Sequence, residues 1–404
     1  MKTINIIPRF FSFLLLILIL NACNKDVEQF ADVTPTPNPP PGLATVLAAS
    51  GYTLYNAIVV KSGLTNVLND STRTLTMYVP GNAAVKQAIT ALSGGAVPAG
   101  SPDAVYLGFI NSSNFTAATA AGIVQYNTMP QKLDYTSFTH PFPNMQYPSL
   151  LNPNPSLSAL LRLTTFPSKS NGSFVNNIPI ISNNNTAGNG LIYETGALVA
   201  PPTRFLWDRI NTDADLTYFK AAVERADEGV PAAETLKGYL QNIGANFTVL
   251  APGNTAFQTV LTGLIYQALL AQNVPAGTAM ATATALASSP TVFTNPAVTP
   301  VLTAQTVRGI VVYHILGSRA FLNNFPTTQT NYPTLLNGAV ASHPGVGLKV
   351  TMSGVMAVAA TAKGAANATA ANIAVNPNPD PYGTSDQHYL NGTLHKIDQV
   401  LLPQ

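Results

Sequence analysis

Five histidines, His140, His314, His343, His388 and His395, are the side chains of this 404-residue sequence best suited to acid/base work or imidazole ligation near neutral pH. None stands in a His-Glu-x-x-His or comparable ligand spacing. His388 and His395 flank an Asn-Gly turn, a pattern that fits no standard metal site. His314 lies between Val311-Val312 and Ile315-Leu316, which predicts a buried, hydrogen-bonded ring. Nucleophilic catalysis needs Ser or Cys held by a base, and no Gly-x-Ser-x-Gly elbow occurs. Ser93-Gly94-Gly95 lacks the Lys-Ser/Thr of a phosphate-binding loop. Asp208, Asp213 and Asp215, with Asp227 and Glu228 further on, could hide a carboxylate pair for glycoside hydrolysis; clustering at helix starts is also what the helix dipole alone favours. Neither a metal nor a cofactor is expected.

Cys23 is the sole cysteine, which leaves no disulfide framework and no cysteine-based metal site. Lys2 and Arg9 precede Phe10 to Leu20, apolar apart from Ser12; the run is too short to span a bilayer and has the length of a signal-peptide core. Leu20-Asn21-Ala22-Cys23 follows and resembles the lipobox of bacterial lipoproteins, in which the cysteine is lipidated and begins the mature chain. Residues 1–22 are then a lipoprotein signal peptide, and 23–42 are the lipid anchor and a stiff Pro-rich stalk. Asn24 to Glu28 resembles the signals that carry some Gram-negative lipoproteins to the cell surface. The expected location is the bacterial outer membrane, lipid-anchored and surface-exposed.

Charged residues make up 9 % of the chain, against about 25 % in ordinary soluble domains. With a net charge of +2 there is no basic stripe for a phosphate backbone, so nucleic acid is not an expected partner.

The elements that must position these residues occur twice. Arg73 to Leu92 and Asn246 to Leu264 each read as an alternating strand (Leu75, Met77, Val79; Phe247, Val249, Ala251), a proline that ends it (Pro80; Pro252), and a helix. Asn82 and Asn254 stand where a side-chain oxygen could cap that helix. Its apolar face is Val85, Ala88, Ile89 and Leu92 in one copy and Phe257, Val260, Leu261 and Leu264 in the other. Strands are predicted at Leu157 to Phe166, Gly172 to Ile181, Leu191 to Val199, Gly347 to Met352, Val355 to Thr361 and Ala371 to Val375, with a turn over Asn183 to Gly190. The Ala/Thr/Pro stretch between Asn273 and Gln305 reads as an inserted loop or loosely packed surface helix. Pro80 and Pro252, Tyr126 and Tyr313, and Asn189-Gly190 and Asn391-Gly392 recur in the same order, which marks an internal duplication.

These landmarks resemble those of the fasciclin (FAS1) domain family: a Pro-x-Asn-x-Ala-Phe turn, a Tyr-His pair in mid-domain and a closing Asn-Gly-x-x-His-x-Ile-Asp-x-Val-Leu-x-Pro. The second copy matches at Pro252, Asn254, Phe257, Tyr313, His314, Asn391, Gly392, His395 and Asp398; the first keeps Pro80, Asn82 and Tyr126 but has Asn127 in place of the histidine. The resemblance implies an α+β fold of two tandem units, residues 43–203 and 204–404, each a wedge of strands with short helices packed over it. It also implies a non-enzymatic adhesion or matrix- and polymer-binding protein whose partner is an extracellular polymer, glycan or protein. The alternative is an accessory envelope lipoprotein that binds a glycan or small ligand for nutrient capture, with a concave pocket lined by aromatics such as Tyr332, Tyr382 and Tyr389.

Overall fold

Strands Leu75–Pro80 and Phe247–Pro252 anchor the architecture. Their alternation predicts one exposed face, yet every residue of the first strand is buried, and in the second only Phe247 is partly exposed. The reason is their place in the sheet. Leu75–Pro80 pairs in parallel with Gly190–Thr195, from Leu75 opposite Gly190 to Pro80 opposite Thr195, and antiparallel with Thr128–Met129. Phe247–Pro252 repeats this with Gly392–Ile397 in parallel and Ile315–Leu316 antiparallel. An interior strand with a parallel neighbour is covered on both faces, so the polar side chains of its pleat need internal partners. Thr76 Oγ1 donates to Gln131 O at 2.8 Å and Thr248 Oγ1 to Ser318 O at 2.6 Å.

A computed structural model describes residues 39–138, 142, 144–375 and 384–404. The expected signal peptide, Cys23, most of the expected stalk, His140 and Tyr382 lie outside these residues. Residues 41–404 form one compact unit that contains two mixed sheets, one of six strands and one of eight, with short helices packed over them. The α+β class and the repetition of one sheet-and-helix arrangement in tandem are those expected. Each sheet lies between two apolar clusters: the first between one around Leu54, Tyr55 and Ile58 and one around Tyr78, Tyr126 and Tyr193; the second between one around Phe219 and Phe257 and one around Tyr313 and Phe325. Among the described residues no helix is long and apolar enough to cross a membrane.

The glycine of each Asn-Gly landmark sits where the two parallel strands begin. A Cβ on Gly190 would lie 2.1 Å from Leu75 O, and one on Gly392 would lie 2.5 Å from Phe247 O. Only glycine lets these backbones approach to pairing distance.

Several local expectations need correction. Leu157 to Phe166 is not a strand: only Thr164–Thr165 is, because Asn152 and Asn154 turn the chain with their side chains, Asn152 Nδ2 donating to Ser158 O at 2.8 Å, and Leu160 is left 88 % exposed. Strand Ile178–Ala187 runs through most of the predicted turn, its register shifting twice against Gly190–Thr195, and the reversal narrows to Gly188-Asn189. In helices Asn82–Leu92 and Asn254–Ala271 the last residue of the predicted face, Leu92 or Leu264, points to solvent. The Ala/Thr/Pro stretch is not loose. Helix Ala276–Ala287 packs on Asn254–Ala271 and buries Ala279, Ala283 and Ala287, a small-residue stripe at i, i+4, i+8 that lets two backbones come close.

Candidate functional site

Asn82 and Asn254 do not cap the helices they begin; Gly81 and Gly253 occupy those N-cap positions and give no side-chain bond. Each asparagine caps a neighbouring helix instead. Asn82 Oδ1 accepts from Leu54 N at 3.1 Å and its Nδ2 donates to Gly51 O at 3.1 Å, at the start of helix Thr53–Ser62. Asn254 Oδ1 accepts from Tyr218 N at 3.2 Å and its Nδ2 donates to Ala214 O at 2.9 Å, at the start of helix Thr217–Ala226. The Asn-Gly asparagines repeat the device: Asn189 Oδ1 accepts from Leu43 N at 2.9 Å, and Asn391 Oδ1 from Leu206 N at 3.0 Å. All four serve first-turn N–H groups that the helix cannot satisfy itself. Replacing Asn254 by alanine is expected to cost about 1–2 kcal/mol, read as a lower urea midpoint at unchanged slope.

The Tyr-His pair is equally internal. Tyr313 donates its hydroxyl to Gly345 O at 2.7 Å and accepts from Ala365 N at 2.9 Å; Tyr126 donates to Thr164 O at 3.1 Å and accepts from Asn176 Nδ2 at 3.2 Å. His314 Nδ1 is 2.8 Å from Ile310 O, and its Nε2 is 2.8 Å from Leu401 N. A carbonyl only accepts and an amide only donates, so the ring is the neutral Nδ1–H tautomer. Burial pushes its pKa down to about 4. In the first unit Asn127 stands in its place, its Nδ2 donating to Ile123 O and to Val199 O, both at 2.9 Å. Histidine and asparagine thus make the same tie between a helix end and the unit's closing segment.

His395 is the opposite tautomer: Nε2 donates to Ala320 O at 3.0 Å and Nδ1 accepts from Asp386 N at 3.2 Å. Burial pushes its pKa down to about 4 and pushes Asp386 up to about 7, the latter against an opposing bond from Leu322 N. Although Asp386 Oδ1 lies 3.9 Å from the His395 ring, both groups are driven from their charged forms and are no ion pair. His343 accepts from Gly345 N at 3.0 Å and donates to Pro403 O at 2.9 Å. Asp398 receives Asn372 N at 2.7 Å and Asn372 Nδ2 at 2.8 Å, fastening strand Ala371–Ile373. Phe257 stacks on Tyr218 at 6.3 Å between centroids. Pro80 and Pro252 end their strands opposite Thr195 and Ile397.

The acidic cluster is held by cations. Asp213 pairs with Arg209 at 2.9 Å, Lys396 reaches Asp213 at 3.4 Å and Asp215 at 2.6 Å, and Asp227 pairs with Arg308 at 3.2 Å. Asp208 accepts from Phe205 N at 2.8 Å as a cap of its own helix. Tyr332 and Tyr389 belong to different apolar clusters: Tyr332 packs on Phe142 with centroids 3.9 Å apart, and Tyr389 is buried in the core that holds Phe219 and Phe257.

Sequence reasoning missed the junction between the two units. Asn171 Nδ2 donates to Asn323 O at 2.8 Å and Phe325 O at 2.9 Å, Asn144 Nδ2 to Asn324 Oδ1 at 2.6 Å, and Asn324 Nδ2 to Ser168 Oγ at 3.0 Å. Phe166 and Tyr126 of the first unit meet the ring of His388 of the second, each 6.3 Å away between centroids. Within this seam lies Arg319, 3 % exposed, its guanidinium 4.8 Å over the Phe166 ring. Its Nη1 is 2.7 Å from His388 Nε2, and its Nη2 donates to Leu390 O at 3.2 Å. Since arginine only donates, His388 Nε2 must accept and the ring is neutral, its pKa held well below the usual range by burial and by the Arg319 charge. Burial lowers Arg319 itself to about 10, so it stays charged at neutral pH.

Beside Arg319 opens a cleft of about 190 Å³, lined also by Gln146, Arg162, Thr164, Asn246 and Leu390. A wider, more open cleft of about 460 Å³ lies in the first unit, where Tyr52 donates to Glu194 at 3.1 Å and accepts from Asn185 at 3.3 Å. Its polar groups are thus bonded to one another. The only advance sign of the seam was an arginine set in Ser318-Arg319-Ala320-Phe321-Leu322, an apolar setting for a cation.

Comparison of the sequence with protein-family models and with curated proteins returns no match. Solved structures similar to this one include a FAS1 domain pair from the insect cell adhesion molecule fasciclin I, at 11 % identity and a TM-score of 0.32, with 89 % of this chain and 95 % of that chain covered.

Proposed function

We propose that this chain is a non-enzymatic adhesion or matrix- and polymer-binding protein, held at the surface of a bacterial outer membrane through a lipid on Cys23, with an extracellular polymer, glycan or protein as its ligand. One observation carries the reading: the motif imidazoles, His314 and His395, are buried, neutral and bonded to backbone on both ring nitrogens. Residues that could do chemistry hold the shape, and recognition falls to edges and loops. The hairpin of Val346–Ser353 and Met356–Lys363 supports this, since it exposes Met356 (62 %) and Val358 (53 %) on an otherwise weakly charged surface. The lipobox resemblance supports the tether. Because the two units are bonded across their seam, multivalency comes from many tethered copies rather than from independent units of one chain.

Attachment of whole cells to polymer-coated surfaces tests the proposal. Cells that display the full chain are expected to attach, and a Cys23→Ala form, released from the membrane, is expected to lose attachment while folding unchanged. A Met356→Asp, Val358→Asp form is expected to weaken it with the anchor intact. Equal attachment by cells with and without the chain would refute the reading.

A further inference from the structure

We propose that the cleft at the junction holds an oxyanion, the carboxylate, sulfate or phosphate group of a ligand, against Arg319. The inference goes beyond adhesion and stands apart from it. A guanidinium withdrawn from water is costly unless its charge is balanced and its five N–H groups are bonded. Arg319 is bonded by an imidazole, a carbonyl and an aromatic face, all formally uncharged, and among the described residues it has no carboxylate partner. Among the described residues its Nε–H has no hydrogen-bond partner.

The cleft has the complementary character. None of its described lining residues is acidic, and they include a second arginine, Arg162, which is exposed. Two bonds from Arg162 Nη1, to Ala159 O at 2.9 Å and Leu161 O at 2.7 Å, hold that side chain in place. Asn246, also in the lining, has a buried Oδ1 without a hydrogen-bond partner among the described residues, an acceptor suited to a hydroxyl next to the anionic group. Small-molecule sites usually measure about 300–1,000 Å³, so a cleft of about 190 Å³ takes one group of a ligand rather than the whole of it. An arginine fork matches the planar or tetrahedral face of such a group and rejects its neutral counterpart.

The test is isothermal titration of the full chain with inorganic sulfate, inorganic phosphate and oligogalacturonate at fixed ionic strength, with a neutral maltooligosaccharide as control. Saturable binding of the anionic probes is expected, weakened at least tenfold by Arg162→Ala and abolished by Arg319→Gln, with no binding of the neutral sugar. Tighter binding of oligogalacturonate than of either inorganic ion would support an acidic glycan as the source; equal binding would support a free oxyanion. If Arg319→Gln does not fold, Asn246→Asp, which sets a carboxylate in the cleft wall, decides in its place and is expected to abolish binding. No saturable binding to any anion, or binding indifferent to both Arg162→Ala and Asn246→Asp, would overturn the proposal.

Discussion

Replacing His314 by alanine is expected to lower the melting temperature by about 5 °C and to leave ligand affinity, measured well below either midpoint, unchanged. The ring is fully buried, with Phe219 packed edge-on at 6.2 Å between centroids. Its loss leaves Leu401 N–H without a partner, which costs about 1–3 kcal/mol, and opens a cavity worth about 2 kcal/mol more. A total of about 3–5 kcal/mol over a cooperative unit of this size gives the stated shift. His314→Asn should lose less, because Asn127 makes the corresponding bond to its own helix in the first unit. Unchanged stability with lost binding would mean that the histidine touches ligand.

Acid should destabilise the protein well above the ordinary carboxylate range. His314 and His395 titrate near 4 in the folded chain, against an ordinary value of 6.5. Between those values the unfolded chain binds protons that the folded chain refuses, so their stabilisation is complete above pH 6.5 and is lost as the pH falls toward 4. His388 acts in the same direction. Asp386 opposes them: raised to about 7 from 3.8, it stabilises the fold at low pH, and that contribution is lost as the pH rises through 7. Three imidazoles against one carboxyl leave a net uptake of about two protons on unfolding. Stability should therefore fall by roughly 2–3 kcal/mol per pH unit between roughly pH 6 and 4.5. Urea midpoints at stepped pH measure this slope, and His395→Gln should reduce it by about one proton; a flat profile above pH 5 would show that these rings are solvated.

What the sequence made legible was local. Alternation to Pro80 and Pro252, helical spacing after Asn82 and Asn254, and the Asn-Gly pairs each follow from backbone chemistry within a few residues, and they correctly gave two α+β units. Asn82 and Asn254 were placed in the right turn but given the wrong helix, because a cap across 28 or 36 residues depends on how two helices meet. The two-sided burial of Leu75–Pro80 depends on a partner strand more than 100 residues away, which no period in the strand reveals. The Asn171, Asn323 and Asn324 seam escaped notice for a further reason. In a chain this rich in asparagine, an interface asparagine looks like a turn residue until its partner is known.

The tautomers of the buried imidazoles can be read directly. Long-range proton–nitrogen correlation spectra of the folded protein at pH 7 and pH 5 should show His314 protonated on Nδ1 and His395 on Nε2, both neutral and unchanged between the two conditions. Rings that average between tautomers at pH 7 and gain a proton near pH 6.5 would contradict the claim that the repeated motif holds the fold and leaves recognition to the rest of the surface.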